Sequence, residues 1–164
     1  MKGMQKLGGM ALALSAVAVS ALALAQAGGV AKTEAEAKTA IEARQQIFKD
    51  IKKSNEPLQD MLKNKREIDA AVIKASTAEL QKLAPKIPPA FALDTRAFKD
   101  IKTRAQDGIW SSQADFAAKA DAFAKAAANV AAVADSGDKG VIKKAIADMG
   151  KSCGACHDNY QVKL

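Results

Sequence analysis

The chain of 164 residues has one histidine, two cysteines, one tryptophan and one tyrosine. Two cysteines three residues apart cannot staple a domain, so a disulfide framework is excluded. The usual Cys/His zinc site is excluded too, because a fourth ligand is missing. A Ser/His/Asp triad would have to use the same lone histidine, and nothing else in the chain points to one. Aromatic residues make up 4% of the chain, and no basic stripe is interleaved with them. That combination argues against a nucleic-acid partner. Strands are lacking as well: no segment alternates apolar and polar positions with enough β-branched residues.

What is present begins with an export pattern. Lys2 and Lys6 precede an apolar run from Met10 to Leu24, followed by Ala25-Gln26-Ala27. This reads as a secretory signal over residues 1–27, with cleavage leaving Gly28 first. The run is too short and too rich in small residues for a membrane span, which needs about 20 apolar residues. Removal of residues 1–27, whose only charges are the two lysines, leaves 137 residues and lowers the net charge from +7 to +5. That length suits one domain with one core, over residues 28–164.

Four segments carry helical spacing. The first runs from about Thr33 to Asn64 with Ile41, Arg44, Phe48, Ile51, Leu58 and Leu62 on one face, and Pro57 predicts a kink or break near Ser54-Asn55. The second runs from about Arg66 to Leu83, with Ile68, Val72, Leu80 and Leu83 inward, until Pro85, Pro88 and Pro89 stop it. Residues 85–110 form an irregular stretch long enough to imply that it packs over something. The third helix starts near Ser111 or Ser112, either suited to cap it. Its seam of Phe116, Ala120, Phe123, Ala127, Val130 and Ala134 is spaced four, three, four, three, four. The fourth runs from about Lys139 to Tyr160 with Ile142, Ala145, Met149, Cys153 and Cys156 on one stripe. Short connections and one crossover give an all-α fold, an antiparallel four-helix bundle.

The cysteines and the histidine form Cys153-Gly154-Ala155-Cys156-His157. Two thiols three apart on a helical turn reach two vinyl groups along one porphyrin edge, and the adjacent imidazole binds the iron. The spacing therefore predicts one covalent haem c, with Cys153 and Cys156 as thioether residues and His157 as axial ligand. The competing reading is a redox dithiol, which normally opens a helix after a strand so that the helix N-terminus depresses a thiol pKa. Here the motif closes a helix and follows no strand. Export fits as well, since haem is attached to such proteins outside the bacterial cytoplasm, which places this one in the periplasm.

Three pieces, in this order, resemble the cytochrome c′ family, the class II c-type cytochromes. They are Ala43-Arg44-Gln45-Gln46-Ile47-Phe48-Lys49, Lys102-Thr103-Arg104-Ala105 leading to Ile109-Trp110, and Gly150-Lys151-Ser152 running through the haem motif to Asp158-Asn159-Tyr160. The resemblance implies that Arg44 and Gln45 lie at the haem propionates, that Thr103 and Arg104 border the haem, and that Phe48 stands over the open face of the iron. Two departures stand out. Gln161 occupies a position where many relatives have arginine, and Asp107-Gly108 stands where many have Pro-Glu.

The sixth iron position decides function. Of the five methionines, three leave with the signal, Met149 sits on the haem's own helix, and Met61 lies roughly 20 Å along the first helix from Phe48 at 1.5 Å per residue. The expectation is a five-coordinate iron behind an apolar distal residue, binding NO and CO, with electron transfer to redox partner proteins alongside. A six-coordinate low-spin electron carrier of the same class is the alternative. No general acid or base stands out near the iron, so catalysis is not expected. The +5 charge suits acidic partners, although Lys52-Lys53 and Lys143-Lys144 read as solvated helix faces. Homodimers through the first helices are frequent in the family, and the sequence leaves a homodimer open here.

Overall fold

The computed structural model describes residues 28–163; the expected signal over 1–27 lies outside the described residues. Four long helices carry the fold: α1 (Glu34–Leu62), α2 (Ala70–Leu83), α5 (Gln113–Ala132) and α6 (Lys139–Tyr160). Two single-turn helices, α3 (Ile87–Ala90) and α4 (Gly108–Ser111), lie between α2 and α5. α1 packs on α2 and α6, and α5 packs on the same two. The result is a four-helix bundle whose members each bury one stripe.

Local chemistry sets the ends of the helices. Thr33 caps α1 by accepting from the Glu36 amide, and Asp69 and Asp138 cap α2 and α6, each accepting two amide hydrogens. Lys63 and Asn64 close α1, Asn64 with φ of 59°, a left-handed conformation that asparagine tolerates. Gly137, at φ of 71°, makes the turn before α6.

Several expectations change here. α1 runs without interruption through Pro57. Proline denies a hydrogen bond to the carbonyl of Lys53, but that residue is exposed and water can take its place. Leu58 and Met61, fully buried, hold the last turn against the core. In α2 the Asp69 cap delays the start to Ala70, and Ile73 with Ser76, Thr77, Leu80 and Leu83 is buried, while Val72 is only partly so. The Thr77 hydroxyl is satisfied by the Ile73 carbonyl at 2.8 Å. Ser111 ends α4, and Ser112 takes the N-cap position of α5, where its carbonyl accepts from the Phe116 amide at 3.0 Å but its side chain makes no capping bond. Asp115 in the first turn supplies the negative charge that an N-terminus favours.

The stretch 85–110 does pack over the bundle. Ile87, Phe91, Thr95 and Ile109 from it are buried. Within it Leu93–Asp94 (β2) pairs in parallel with Gly29–Val30 (β1), a two-residue ladder too short to show as alternation. In contrast, all six seam positions of α5 and its C-terminal extension are buried, and alanines at 120, 127 and 134 let neighbouring helices approach closely. No helix among the described residues is long and apolar enough to cross a membrane.

Candidate haem site

Cys153 and Cys156 sit two turns and one turn before the end of α6, on the stripe that continues Ile142, Ala145 and Met149 inward. Both thiols are free and half-buried, and both pack against the hydrophobic core. Burial, the largest influence on each, pushes both thiol pKa values up. A redox dithiol needs the opposite shift, so the environment opposes that reading. His157 is largely exposed. What burial it has, and then the positive charge of Arg104, lower its pKa against the pull of Asp158. The imidazole is thus neutral near pH 7, the form whose lone pair can bind a metal. Two protonated thiols on one face of a helix, followed by a neutral imidazole, are the donor set that a covalent haem requires.

The end of α6 is fastened beyond the histidine. Tyr160 donates its hydroxyl to Asp115 Oδ2 at 2.5 Å, and its carbonyl accepts from the Gln106 amide at 3.0 Å. The Val162 amide donates to the Arg104 carbonyl at 2.8 Å, and the Arg104 guanidinium donates back to the Val162 carbonyl. Gln161, the departure noted above, bridges to Ala105 and presents its carbonyl to the Gln106 amide side chain. The structure therefore joins Arg104 to the helix that bears His157. Thr103 is exposed and accepts from the Ala105 amide, shaping the same loop.

On α1, Arg44 is buried, with 3% of its surface exposed. Its guanidinium donates to the Ala90 carbonyl at 2.8 Å, the Thr95 hydroxyl at 2.9 Å and the Leu93 carbonyl at 2.5 Å. It also stacks on Phe91 and Trp110, 4.7 and 5.4 Å from the ring centres. Burial pushes its pKa down to about 10, with Asp94 opposing, so it stays charged at neutral pH. Three of its five N–H groups are thus engaged within the protein. Gln45 is exposed and donates to the Lys102 carbonyl at 3.3 Å. Phe48 is 37% exposed, its ring edge-on to Phe91 at 6.3 Å.

Two residues of the site, Phe91 and Asp115, had no sequence signal that marked them, and a third, Trp110, stood only within a stretch of the family resemblance with no role attached. Phe91 lies at the centre of an aromatic cluster with Phe48, Trp110 and Phe116. Trp110 donates its indole N–H to the Phe91 carbonyl at 3.0 Å. Asp115, four residues from Lys119, holds Tyr160. The Tyr160–Asp115 bond, then burial, then the carboxylate charge push the phenol pKa up to about 12. Because Tyr160 is the only tyrosine, absorbance at 295 nm reports it alone. Its ionisation is expected near pH 12 in the folded protein and nearer 10 after Asp115→Asn. The neutral phenol is favoured by folding, so this contribution is present below pH 10 and lost as pH rises towards 12. An ordinary titration near pH 10 in the unaltered protein would mean that the hydrogen bond is absent.

A four-helix bundle whose last helix ends in two thiols three residues apart and the imidazole that follows them defines a c-type haem protein. The family model described as Cytochrome C' matches residues 39–161, and the chain belongs to that family. It is 32% identical over 130 residues to cytochrome c′ of Cereibacter sphaeroides, spanning 79% of this chain and 87% of that protein. The solved cytochrome c′ of Shewanella frigidimarina matches with 37% identity and a TM-score of 0.66, over 77% of this chain and 97% of that one. A ferrous variant of Alcaligenes xylosoxidans cytochrome c′ with bound NO matches with 31% identity and a TM-score of 0.67, over 78% and 97%. The cofactor is the family's covalent haem c, and two cysteines near the C-terminus fit its attachment. Proteins of this family transfer electrons or bind gases through that haem.

Proposed function

We propose that the protein is exported to the periplasm after loss of residues 1–27, and that residues 28–164 form a gas-binding cytochrome c′ with a five-coordinate iron. Cys153 and Cys156 would hold the haem and His157 would bind its iron, and the group would supply redox and gas-binding chemistry there. The observation that carries the reading is the side chains available for the opposite position. Met61 and Met149 are both fully buried in the core, and His157 is the only histidine. Phe48 is the apolar side chain assigned to that side, partly exposed and held edge-on by Phe91. A distal ring offers no hydrogen bond to a polar bound ligand and presses on any ligand that enters, so neutral NO and CO are the ligands it penalises least.

Arg44 and Gln45 are the residues assigned to the propionates. Arg44 keeps two N–H groups for that task while its other three hold residues 90–95. Thr103 and Arg104 border the haem from the loop fastened to the end of α6. The relative solved with bound NO supports NO as the ligand. Electron transfer to redox proteins uses the same iron.

Phe48→Ala tests the distal assignment. Relieving the strain of fitting a ligand against the ring is worth about 1–3 kcal/mol, so CO should bind to the ferrous protein roughly tenfold faster or more. Stopped-flow mixing measures it. An unchanged rate would remove Phe48 from the distal side.

A further inference from the structure

Charge compensation is uneven around the bundle. On α5 and α6, Lys119, Lys125, Lys144 and Lys151 each reach an aspartate. Lys49, Lys52 and Lys53 on α1, and Lys99, Lys102 and Arg104 in the loop before α4, are all exposed. Among the described residues none of the six is within ion-pairing distance of a carboxylate. Residues 45–53 and 99–104 carry these six cations and only two carboxylates, Asp50 and Asp100, and so hold +4 of the +5 net charge of residues 28–164. Asp50 is engaged by the Gln46 amide at 2.9 Å, and Glu42 and Glu56 bound the α1 stripe at its two ends.

The two segments are neighbours. Gln45 donates to the Lys102 carbonyl, and Lys49, Lys52 and Lys53 follow Gln45 by four, seven and eight residues, which puts them on one side of α1. The loop is in turn joined to the helix that bears His157 through the Arg104–Val162 bonds. A nearly uncompensated basic face therefore adjoins the end of α6 where the haem is held.

The geometry points to this face as the docking surface for an acidic one-electron redox protein. The inference rests on the electron-transfer part of the proposed function. The transfer would pass one electron to the bound partner from the haem that Cys153, Cys156 and His157 would hold, with no bond made or broken and no proton moved. The unpaired cations concentrate an acidic partner at the haem end and orient it there, which raises the rate of productive encounter more than the strength of the complex.

The test compares Lys49→Gln/Lys102→Gln with Lys63→Gln/Lys65→Gln. The second pair removes the same charge from exposed lysines beyond the other end of α1. The ferrous holoprotein is oxidised by ferricyanide, an anion, and by tris(phenanthroline)cobalt(III), a cation, at 10 mM ionic strength. Poly-L-glutamate binding is measured separately by calorimetry. The face variant should oxidise roughly tenfold more slowly with ferricyanide and faster with the cobalt complex, the differences shrinking at high salt. It should also lose poly-L-glutamate binding, while the remote variant changes little in either assay. Equal effects of the two variants would overturn the proposal, as would a face variant that still binds poly-L-glutamate. A dimer in sedimentation that the face variant splits would also overturn it, assigning the face to a second copy. Oxidation by neither reagent would defeat the electron-transfer reading itself, and with it the proposal, whatever the peptide does.

Discussion

Cys153→Ser/Cys156→Ser is expected to yield a folded chain without covalent haem. Serine replaces sulfur by oxygen at two half-buried positions, a small change in volume, so the bundle should keep its helical circular dichroism. A hydroxyl does not add to a porphyrin vinyl group as a thiol does, and the covalent link is lost. Acidified acetone should then extract all of the haem, against essentially none from the unaltered protein, and a haem stain on a denaturing gel should be negative. Each single variant keeps one link and should stain more weakly. A double variant that retained covalent haem would refute the attachment site. Loss of helicity together with haem would mean that the thiols act first in packing.

Arg44→Ala is expected to cost about 3 kcal/mol of stability, the largest effect of any single substitution considered. The change strips donors from the Ala90 and Leu93 carbonyls and the Thr95 hydroxyl and removes the cation from between Phe91 and Trp110. Hydrogen bonds to a charged group contribute about 1.5–3 kcal/mol each and cation–aromatic contacts about 0.5–2. The cost of burying the guanidinium offsets much of that sum. Arg44→Lys keeps the charge but not the fork, and should recover less than half. Gln45→Ala, on the exposed side of the same turn, should change stability by under about 0.5 kcal/mol. Urea unfolding of the three variants decides it. A loss below about 1 kcal/mol for Arg44→Ala would show that the loop over residues 90–95 holds itself in place.

Arg44 also shows where reading the sequence stops. Its helical face and its charge were plain from spacing, but its partners lie 46 to 51 residues further on. Nothing local specifies that a Pro-rich stretch will fold back to meet it. Phe91 was hidden for the same reason, as an isolated aromatic in an irregular segment. The seam of α5 was fully legible, because one helix facing two neighbours must repeat its apolar positions at three and four. Pro57 misled because a missing N–H matters only if the orphaned carbonyl is dry, and burial around Lys53 is not a local property. The cysteine and histidine motif was legible because all three residues fall within five consecutive positions, so the chemistry does not wait on the fold. The grouping of Lys49, Lys52 and Lys53 with Lys99, Lys102 and Arg104 was not, since it depends on one contact between α1 and the distant loop.

The visible spectrum of the purified ferrous protein, taken before and after adding CO, tests the central claim most directly. An open sixth position behind an apolar side chain predicts a broad high-spin Soret band that sharpens and shifts when CO is added. Sharp, split α and β bands that ignore CO would contradict it and assign the protein to six-coordinate electron carriage.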